Sequence, residues 1–325
     1  METLKVFITG AGGFMGSHLV DMLHSKGHEV SGIYFGKVDL TAEIKNKDGL
    51  VKCDIINRNK VREIIAKIKP SQIYHLAAQS YPTTSWTQPH YTIETNILGT
   101  INVFEAVKEL KLNCRILNAG SSAEYGFVKP EEVPVKESHE LKPLHPYGIS
   151  KVAQDLLAYQ YHKNFGIDSV TMRIFNTTGP RKTNDVCSDF TRQLAAIKSG
   201  LQKPVIRVGN LGTKRAITDV RDVLNGFYLA MEKAESGESY NISGSTAYLI
   251  KDMLEKAVDL SGVHPEIFAD KTLFRPTDEY VIFGDSTKFI SKTGWKQEIP
   301  IEKTLEDMLN YWKEKQSAKA PTQHP

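Results

Sequence analysis

Residues 4–16, LKVFITGAGGFMG, decide the fold of this chain. The first half, LKVFIT, is a short apolar segment that predicts a buried strand. Glycines at 10, 13 and 16 follow, and FMGSHLVDMLHSKG then predicts an amphipathic helix that Gly27 ends. Such glycines let the backbone turn tightly and approach a pyrophosphate, while the helix N-terminus offers free N–H groups to the anion. The context predicts a dinucleotide-binding loop, to which we assign Gly10, Gly13, Phe14, Met15 and Gly16.

The same strand-then-helix rhythm continues over the first 175 residues. HEVSGIY, QIYHLAA, CRILNAGS and SVTMRIFN predict strands, and VREIIAKIKP, TNILGTINVFEAVKEL and PYGISKVAQDLLAYQYHKNFG predict helices between them. The alternation indicates an α/β fold, a doubly wound parallel (Rossmann) sheet with ligands at the carboxyl ends of its strands. We therefore expect a dinucleotide-binding domain at 1–175, joined by later strands near 217–245. An interleaved, smaller C-terminal substrate-binding portion is expected at 176–315, and a disordered tail at 316–325.

Composition narrows the class of protein. The 325 residues carry a net charge of only +3 and no run of five basic residues, which argues against nucleic acid as a partner. No stretch of about 18 apolar residues predicts a membrane span, and the N-terminal apolar segment is too short for a signal peptide. Three widely spaced cysteines indicate reduced thiols of a cytoplasmic protein, with neither a disulfide framework nor a metal site.

The end of the second strand bears on the choice of cofactor. An NAD-selective site usually places an acidic residue about 20 residues past the glycine loop, on the ribose 2′-hydroxyl. The segment IYFGK at 33–37 has none, and Lys37 is placed to meet a 2′-phosphate. We expect NADP, with NAD as the alternative. Asp54, at the end of LVKCDI, is expected either to accept from the adenine amino group or to cap a helix.

Tyr147 and Lys151 lie four residues apart in PYGISK, and hence on one helix face. A phenol has an ordinary pKa of about 10. A nearby ammonium and the positive nicotinamide ring are expected to lower that pKa, so that the tyrosine exchanges a proton with a sugar hydroxyl during hydride transfer. This spacing also arises by chance in many helices. Ser121, with Ser122 beside it, follows a predicted strand about 26 residues earlier, a separation that resembles a Ser–Tyr–Lys triad.

Taken together, TGAGGFMG, YHLAAQS, the N-x-x-G-T of 96–100, SSAEYG, PYGISK and FRPTDE resemble the extended short-chain dehydrogenase/reductase family that modifies nucleotide sugars. Within it, RIFNTTGPR and VGNLGTKRAITDVRD are most similar to the branch of GDP-mannose 4,6-dehydratase and GDP-4-keto-6-deoxymannose reductase. The resemblance implies further cofactor contacts from Ile55, Leu76, Ala77, Ala78 and Asn96. It also implies nucleotide-sugar contacts from Asn176, Arg181, Arg215, Arg275 and Asp278, although each of these charges could instead form a surface salt bridge. Ser85 and Trp86 follow a strand end and are expected to line the sugar pocket, with burial in the core as the alternative for Trp86.

The reaction is less clearly indicated than the family. A 4,6-dehydratase of this branch needs a carboxylate two residues after the catalytic hydroxyl, and that position falls on Ala123. Glu124 comes next and in extended backbone would point to the opposite side. We therefore favour a GDP-4-keto-6-deoxyhexose reductase. The alternatives are a GDP-mannose or GDP-heptose 4,6-dehydratase, if the backbone turns Glu124 inward, then a 4-epimerase, then a non-catalytic sensor. The resemblance also implies a homodimer formed by helices near 92–110 and 147–164.

Overall fold

A seven-stranded parallel sheet forms the centre of the molecule, for which a computed structural model describes residues 2–36, 38–274 and 281–317. The strands, in chain order, are β1 (Lys5–Thr9), β2 (Glu29–Tyr34), β3 (Leu50–Lys52), β4 (Gln72–His75), β5 (Arg115–Ser121), β6 (Ser169–Ile174), β7 (Thr177–Thr178), β8 (Val205–Val208), β9 (Lys214–Ala216), β10 (Thr218–Asp219), β11 (Ser239–Ile242), β12 (Ala247–Leu249), β13 (Glu266–Ala269) and β14 (Val281–Ile282). The sheet order is β11-β6-β5-β4-β1-β2-β3, and the pairs are parallel throughout. The predicted doubly wound fold is confirmed.

Helices cover this sheet on both faces. The described α-helices of the whole molecule are α1 (Phe14–Ser25), α2 (Arg58–Ile68), α3 (Pro82–Thr87), α4 (Pro89–Ile93), α5 (Gly99–Glu109), α6 (Pro146–Phe165), α7 (Val186–Lys198), α8 (Val220–Lys233), α9 (Ile250–Ser261), α10 (Thr287–Thr293) and α11 (Ile301–Ser317). A π-helical turn, Glu94–Leu98, joins α4 to α5. Because α11 extends to Ser317, the first two residues of the segment predicted to be disordered, Gln316 and Ser317, are helical.

The alternation of side chains along β1 explains the two-sided core. Val6 and Ile8 point to one face, where they join the buried side chains of α1 and α8, including Leu19 and Phe227. Phe7 points to the other face, where it joins those of α2, α5 and α6. A strand buried on both faces needs a continuous apolar run, as in residues 6–8.

Residues after 175 build a second, smaller layer and return to the sheet. A third apolar cluster joins α7, α9 and α11, with Phe190, Met253 and Leu305 fully buried at its centre. The short strands of this layer pair as β8 with β13, β7 with β10, and β12-β9-β14. The chain also re-enters the first layer, because β11 adds to the edge of the main sheet beside β6. Among the described helices, none has the length and apolar character needed to cross a bilayer.

Candidate active site

The glycine loop joins β1 to α1 with almost no spare room. Gly10 has φ of +73°, and a Cβ on it would lie 2.9 Å from the Ala77 backbone nitrogen. A Cβ on Gly16 would lie 2.1 Å from the Gly10 carbonyl oxygen. Gly13 precedes α1 without a side-chain cap, and the first helical turn has no acidic residue. The loop thus leaves the first N–H groups of α1 for an anion, as a dinucleotide pyrophosphate requires.

The neighbouring strand ends close around this loop. Thr9 Oγ1 accepts hydrogen bonds from the backbone nitrogens of Leu76 and Ala77, each at 3.1 Å, and so ties the end of β4 to the glycine turn. Ile55 is buried, and its carbonyl oxygen accepts from Asn102 Nδ2 at 2.9 Å. These predicted cofactor residues therefore line one edge of the sheet.

Asp54 and Lys37 were expected near the adenosine half of the cofactor. Asp54 Oδ1 accepts from the Ile56 backbone nitrogen at 3.2 Å, within a turn after β3. The cap of α2 is Asn57, so the alternative in which Asp54 caps that helix is wrong. Lys37 lies outside the described residues.

Ser121, Tyr147 and Lys151 come together where β5 ends and α6 begins. Lys151 is 4% exposed, and its Nζ donates to the Ala119 carbonyl oxygen of β5 at 2.8 Å. The same Nζ lies 5.7 Å from the centre of the Tyr147 ring. The Ser121 side chain, at the last position of β5, is hydrogen-bonded to the Tyr147 phenol. The helix and the strand therefore assemble the three groups that the spacing in the sequence predicted.

The pKa of the phenol moves in the direction opposite to the one expected from Lys151. Burial raises the pKa of Tyr147 to about 12, and the hydrogen bond with Ser121 only partly offsets that rise. Burial also lowers the pKa of Lys151 to about 8, with the negative charge of Glu124 opposing the decrease. In the chain alone desolvation dominates, and the lowered pKa expected with the nicotinamide ring beside the phenol stays a prediction. At neutral pH the phenol of the chain alone carries the proton that a general acid gives up.

Glu124 does not face the region in front of Tyr147. Its side chain is fully buried, and its Oε1 accepts from the Ser121 backbone nitrogen at 2.7 Å. Its Oε2 lies 3.3 Å from Arg173 Nε. Residues Ser122–Glu124 form a 3₁₀ turn that aims this carboxylate into the interior, and Ala123 occupies the intervening position. The alternative in which the backbone turns Glu124 toward the sugar is therefore not what the structure shows.

The two residues predicted to line the sugar pocket, Ser85 and Trp86, differ in how far they are buried. Ser85 is fully buried, and its Oγ donates to the Pro82 carbonyl oxygen at 2.7 Å, so its contact with the substrate stays a prediction. Trp86 is 59% exposed, which excludes burial in the core. Its ring meets His145 edge to face at 6.4 Å, and His145 stacks on Tyr147 at 5.9 Å. An aromatic surface therefore extends from Tyr147 to Trp86.

The residues expected to hold the nucleotide diphosphate also differ in their surroundings. Asn176 follows β6, and its Nδ2 is buried without a hydrogen-bond partner, which leaves a donor for a ligand oxygen. Arg181 is partly paired, because its Nη2 donates to Asp21 Oδ2 at 2.7 Å and to the Glu43 carbonyl oxygen at 2.8 Å, while its Nη1 is buried without a hydrogen-bond partner. It joins the α7 side of the molecule to α1, and its contact with the substrate stays a prediction. Arg215 lies half-buried in β9, and Arg275 and Asp278 fall outside the described residues.

Asn96 is held by buried hydrogen bonds, and the cofactor contact expected for it stays a prediction. Its Oδ1 accepts from the Gln79 backbone nitrogen at 2.7 Å, and its Nδ2 donates to the Gln79 carbonyl oxygen and to Ser150 Oγ. Because Asn96 is fully buried, these bonds clamp the segment after β4 to α6 next to Tyr147. Gln79 and Ser150 were not predicted from the sequence, where their only signal is that they stand within YHLAAQS and PYGISK.

A second buried polar cluster supports the same region. His75 bonds Thr9 through Nδ1 and Thr100 through Nε2, each at 2.8 Å. Burial lowers the pKa of His75 to about 3, so the ring is neutral and structural. Over the residues that the structure covers, no group of three or more His, Cys, Asp or Glu side chains is placed to hold a metal ion.

A parallel sheet with a glycine turn at β1 and a Ser–Tyr–Lys set at β5 and α6 defines an extended short-chain dehydrogenase/reductase. More narrowly, the chain belongs to the GDP-mannose 4,6 dehydratase family, whose model matches residues 7–308.

Similar proteins include both activities of the branch. GDP-6-deoxy-D-mannose reductase of Pseudomonas aeruginosa is 28% identical over 315 residues, which covers 95% of this chain and 97% of the relative. GDP-mannose 4,6 dehydratase 1 of Arabidopsis thaliana is 28% identical over 324 residues, with 93% and 88% covered. Among solved structures, RMD from Pseudomonas aeruginosa complexed with NADPH superposes with a TM-score of 0.86 at 28% identity, covering 96% of this chain and all of that one.

Proposed function

We propose that this chain is an NADPH-dependent reductase of a GDP-linked 4-keto-6-deoxyhexose. The observation that carries the proposal is the arrangement of residues 121–124. The catalytic hydroxyl of Ser121 is in place, Ala123 occupies the position of the dehydratase carboxylate, and Glu124 is held in the interior by Arg173. A ketone reduction needs no base at C5, whereas loss of water across C5 and C6 does.

NADPH, when bound, supplies the hydride that reduces the C4 carbonyl carbon. The fit of this cofactor is supported by the glycine turn, in which a Cβ on Gly10 or Gly16 would collide with backbone, and by the uncapped N-terminus of α1. The NADP form is supported by the absence of an acidic side chain at residues 34–36, and by the NADPH complex of the similar Pseudomonas aeruginosa structure.

The chain's own residues complete the reduction. Tyr147 donates its phenolic proton to the C4 oxygen, so that the carbonyl becomes an alcohol and the phenol becomes a phenolate. Ser121, hydrogen-bonded to the same phenol, shares the C4 oxygen and orients it. Lys151 stabilises the phenolate that forms, because its ammonium lies 5.7 Å from the ring. In the chain alone, the raised pKa of Tyr147 keeps the phenol protonated at neutral pH, so the proton for the C4 oxygen is available.

The assignment of a GDP moiety to the substrate rests on the family and on the relatives named above, whose names describe enzymes of GDP-linked sugars. On this chain, the partnerless Asn176 Nδ2 supports a contact with an oxygen of the bound nucleotide sugar. The sugar itself would lie against the aromatic surface formed by Trp86, His145 and Tyr147, because carbohydrate C–H groups pack well on ring faces.

The experiment is a pair of incubations with purified protein. With NADPH and GDP-4-keto-6-deoxymannose, we expect the absorbance of reduced nicotinamide to fall, with one GDP-6-deoxyhexose formed per NADPH consumed. With GDP-mannose and catalytic NADP, we expect no 4-keto product. A 4-keto product from GDP-mannose without net change in the cofactor would replace the reductase by a dehydratase, and inactivity in both incubations would leave an epimerase or a sensor.

We also propose a homodimer. On α6, Ile149, Leu156 and Tyr159 are each at least half exposed, and their spacing puts them on one helical face. Leu98, 49% exposed, adds to the apolar surface from the turn before α5. Light scattering at low micromolar concentration should give twice the chain mass, and Leu156→Asp should give a monomer of unchanged helical content. A monomeric wild-type protein would contradict this proposal.

A cytoplasmic location is proposed as well. Cys53, Cys114 and Cys187 are all buried free thiols, as expected in a reducing compartment. Fractionation of the source cells would test it, and recovery from an oxidising compartment would contradict it.

A further inference from the structure

Glu124 contacts the catalytic segment from behind. Its Oε1 accepts from the Ser121 backbone nitrogen at 2.7 Å, while Ser121 Oγ accepts from the Ala123 backbone nitrogen at 3.2 Å. The two contacts form a reciprocal capping box at the end of β5. The carboxylate therefore fixes the backbone that carries the Ser121 hydroxyl.

A buried network holds this carboxylate in turn. Arg173, on β6, lies 3.3 Å from Glu124 and donates to Asp155 Oδ2 on α6 from both Nε and Nη2, at 2.9 and 2.6 Å. Arg173 Nη1 also donates to the Tyr125 hydroxyl and to the Glu137 carbonyl oxygen. Because Arg173 is positioned by three elements, Glu124 has a rigid support.

Charges from every surrounding element act on Glu124. They are Arg173 from β6 and Asp155 and Lys151 from α6, and Glu124 in turn acts on Tyr147 of α6 and on Tyr125 of its own turn. Glu137, from the segment between β5 and α6, acts on Tyr125. Lys151 also acts electrostatically on His75 from β4. Burial, with Asp155, raises the pKa of Glu124 to about 8, and the charge of Glu124 acts against the burial that lowers the pKa of Lys151.

We propose that Glu124 is a positioning residue for the reduction, which fixes Ser121 through its backbone nitrogen and supports the Lys151 ammonium through its charge. The inference rests on the proposed function. Glu124 does not act on the sugar, so its contribution passes through Ser121 and the Tyr147–Lys151 pair.

Two substitutions separate the hydrogen bond that Glu124 accepts from Ser121 from the effect of the Glu124 charge. Glu124→Gln keeps an oxygen that accepts from Ser121 and removes the charge, whereas Glu124→Ala removes both. For Glu124→Gln we expect nearly unchanged kcat at pH 6.5, but the alkaline limb of the kcat/KM profile should move to lower pH by about one unit. For Glu124→Ala we expect kcat to fall about tenfold at every pH, because a buried donor on Ser121 loses its acceptor.

Glu137→Gln is the matched control. Glu137 Oε1 also accepts from a backbone nitrogen, that of Asn241, at 2.8 Å, but its contact lies on β11 away from Ser121. We expect the alkaline limb of the kcat/KM profile of Glu137→Gln to coincide with that of the wild type. A Glu124→Gln protein with the wild-type profile, or equal shifts in both variants, would overturn the proposal.

Thermal unfolding tests the charge of Glu124 without a measurement of catalysis. Because the pKa of Glu124 is raised above its unfolded value of 4.5, its stabilising effect is complete below that value and is lost as pH rises toward about 8. Between pH 5 and 8 the Tm of the wild type should therefore fall more than that of Glu124→Gln, by about 2 °C or more, while Glu137→Gln should follow the wild type. Equal Tm profiles for Glu124→Gln and wild type would overturn the charge role. If the wild type reduces no 4-keto sugar, the proposed function fails while this comparison still stands.

Discussion

Removal of the Tyr147 hydroxyl is the most informative single change at this site. Tyr147→Phe keeps the ring that stacks on His145 and leaves Lys151 bonded to Ala119, so the change is confined to the proton donor. A positioned general acid contributes about 10²- to 10⁴-fold to a rate, and each factor of ten corresponds to about 1.4 kcal/mol. We expect kcat to fall by about 10³-fold, or roughly 4 kcal/mol, since the phenol is the group next to Ser121 that supplies the proton.

The stability and cofactor affinity of Tyr147→Phe should change little. The substitution removes the hydrogen bond with Ser121, which costs about 1 kcal/mol of unfolding free energy. The assay is the initial rate of NADPH oxidation with GDP-4-keto-6-deoxymannose, together with a fluorescence titration of NADPH. Tyr159→Phe is the matched control, because Tyr159 is 52% exposed on the same helix and should keep the full rate. A Tyr147→Phe protein that binds NADPH and retains more than about a tenth of kcat would refute the reasoning.

Three further predictions concern the charge of Lys151, the glycine loop at Gly16 and the hydrogen bonds of Asn96. The kcat/KM value should fall as pH rises through about 8, because the lowered pKa of Lys151 means that its ammonium is lost there, and a profile flat to pH 10 would contradict this. Gly16→Ala should weaken NADPH binding by about 100-fold or more in a fluorescence titration, because the new Cβ would lie 2.1 Å from the Gly10 carbonyl oxygen; unchanged affinity would count against the loop. Asn96→Ala should lower the free energy of unfolding by about 2 to 4 kcal/mol in urea titrations, since the buried Gln79 backbone groups lose their partners, and a loss below about 0.5 kcal/mol would argue against the clamp.

The parts of the site that the sequence predicted are those set by local spacing. Gly10 and Gly16 stand between a strand pattern and a helix pattern, and Tyr147 and Lys151 are one helical turn apart. Ser121 could be added because parallel strands end at the same edge of the sheet. Each of these depends only on neighbours in the chain or on a general property of parallel sheets.

Sequence reasoning is weakest where a distant partner contacts a side chain. Arg181 pairs with Asp21, 160 residues earlier, so nothing near it in the sequence signals this ion pair. Ser85 lies in a six-residue helix whose packing hides its hydroxyl. The orientation of Glu124 depends on Arg173 in the next strand of the sheet, a contact that alternation within one extended segment cannot reveal.

The same limit applies to the ionisation of the catalytic pair. The sequence shows that a lysine is near a tyrosine, and charge alone predicts a lowered phenol pKa. Burial of both groups is a tertiary property, and it raises the pKa of Tyr147 and lowers that of Lys151. Neither shift can be read from the spacing of Tyr147 and Lys151.

The most direct test of the reductase follows one deuterium atom. The protein is incubated with GDP-4-keto-6-deoxymannose and NADPH that carries deuterium on the transferred position of its nicotinamide, and the sugar product is examined by mass spectrometry and proton NMR. We expect one deuterium per product molecule, bound at C4, with C5 unlabelled. A product without deuterium at C4, or conversion of GDP-mannose to a 4-keto sugar while the labelled cofactor stays intact, would contradict it.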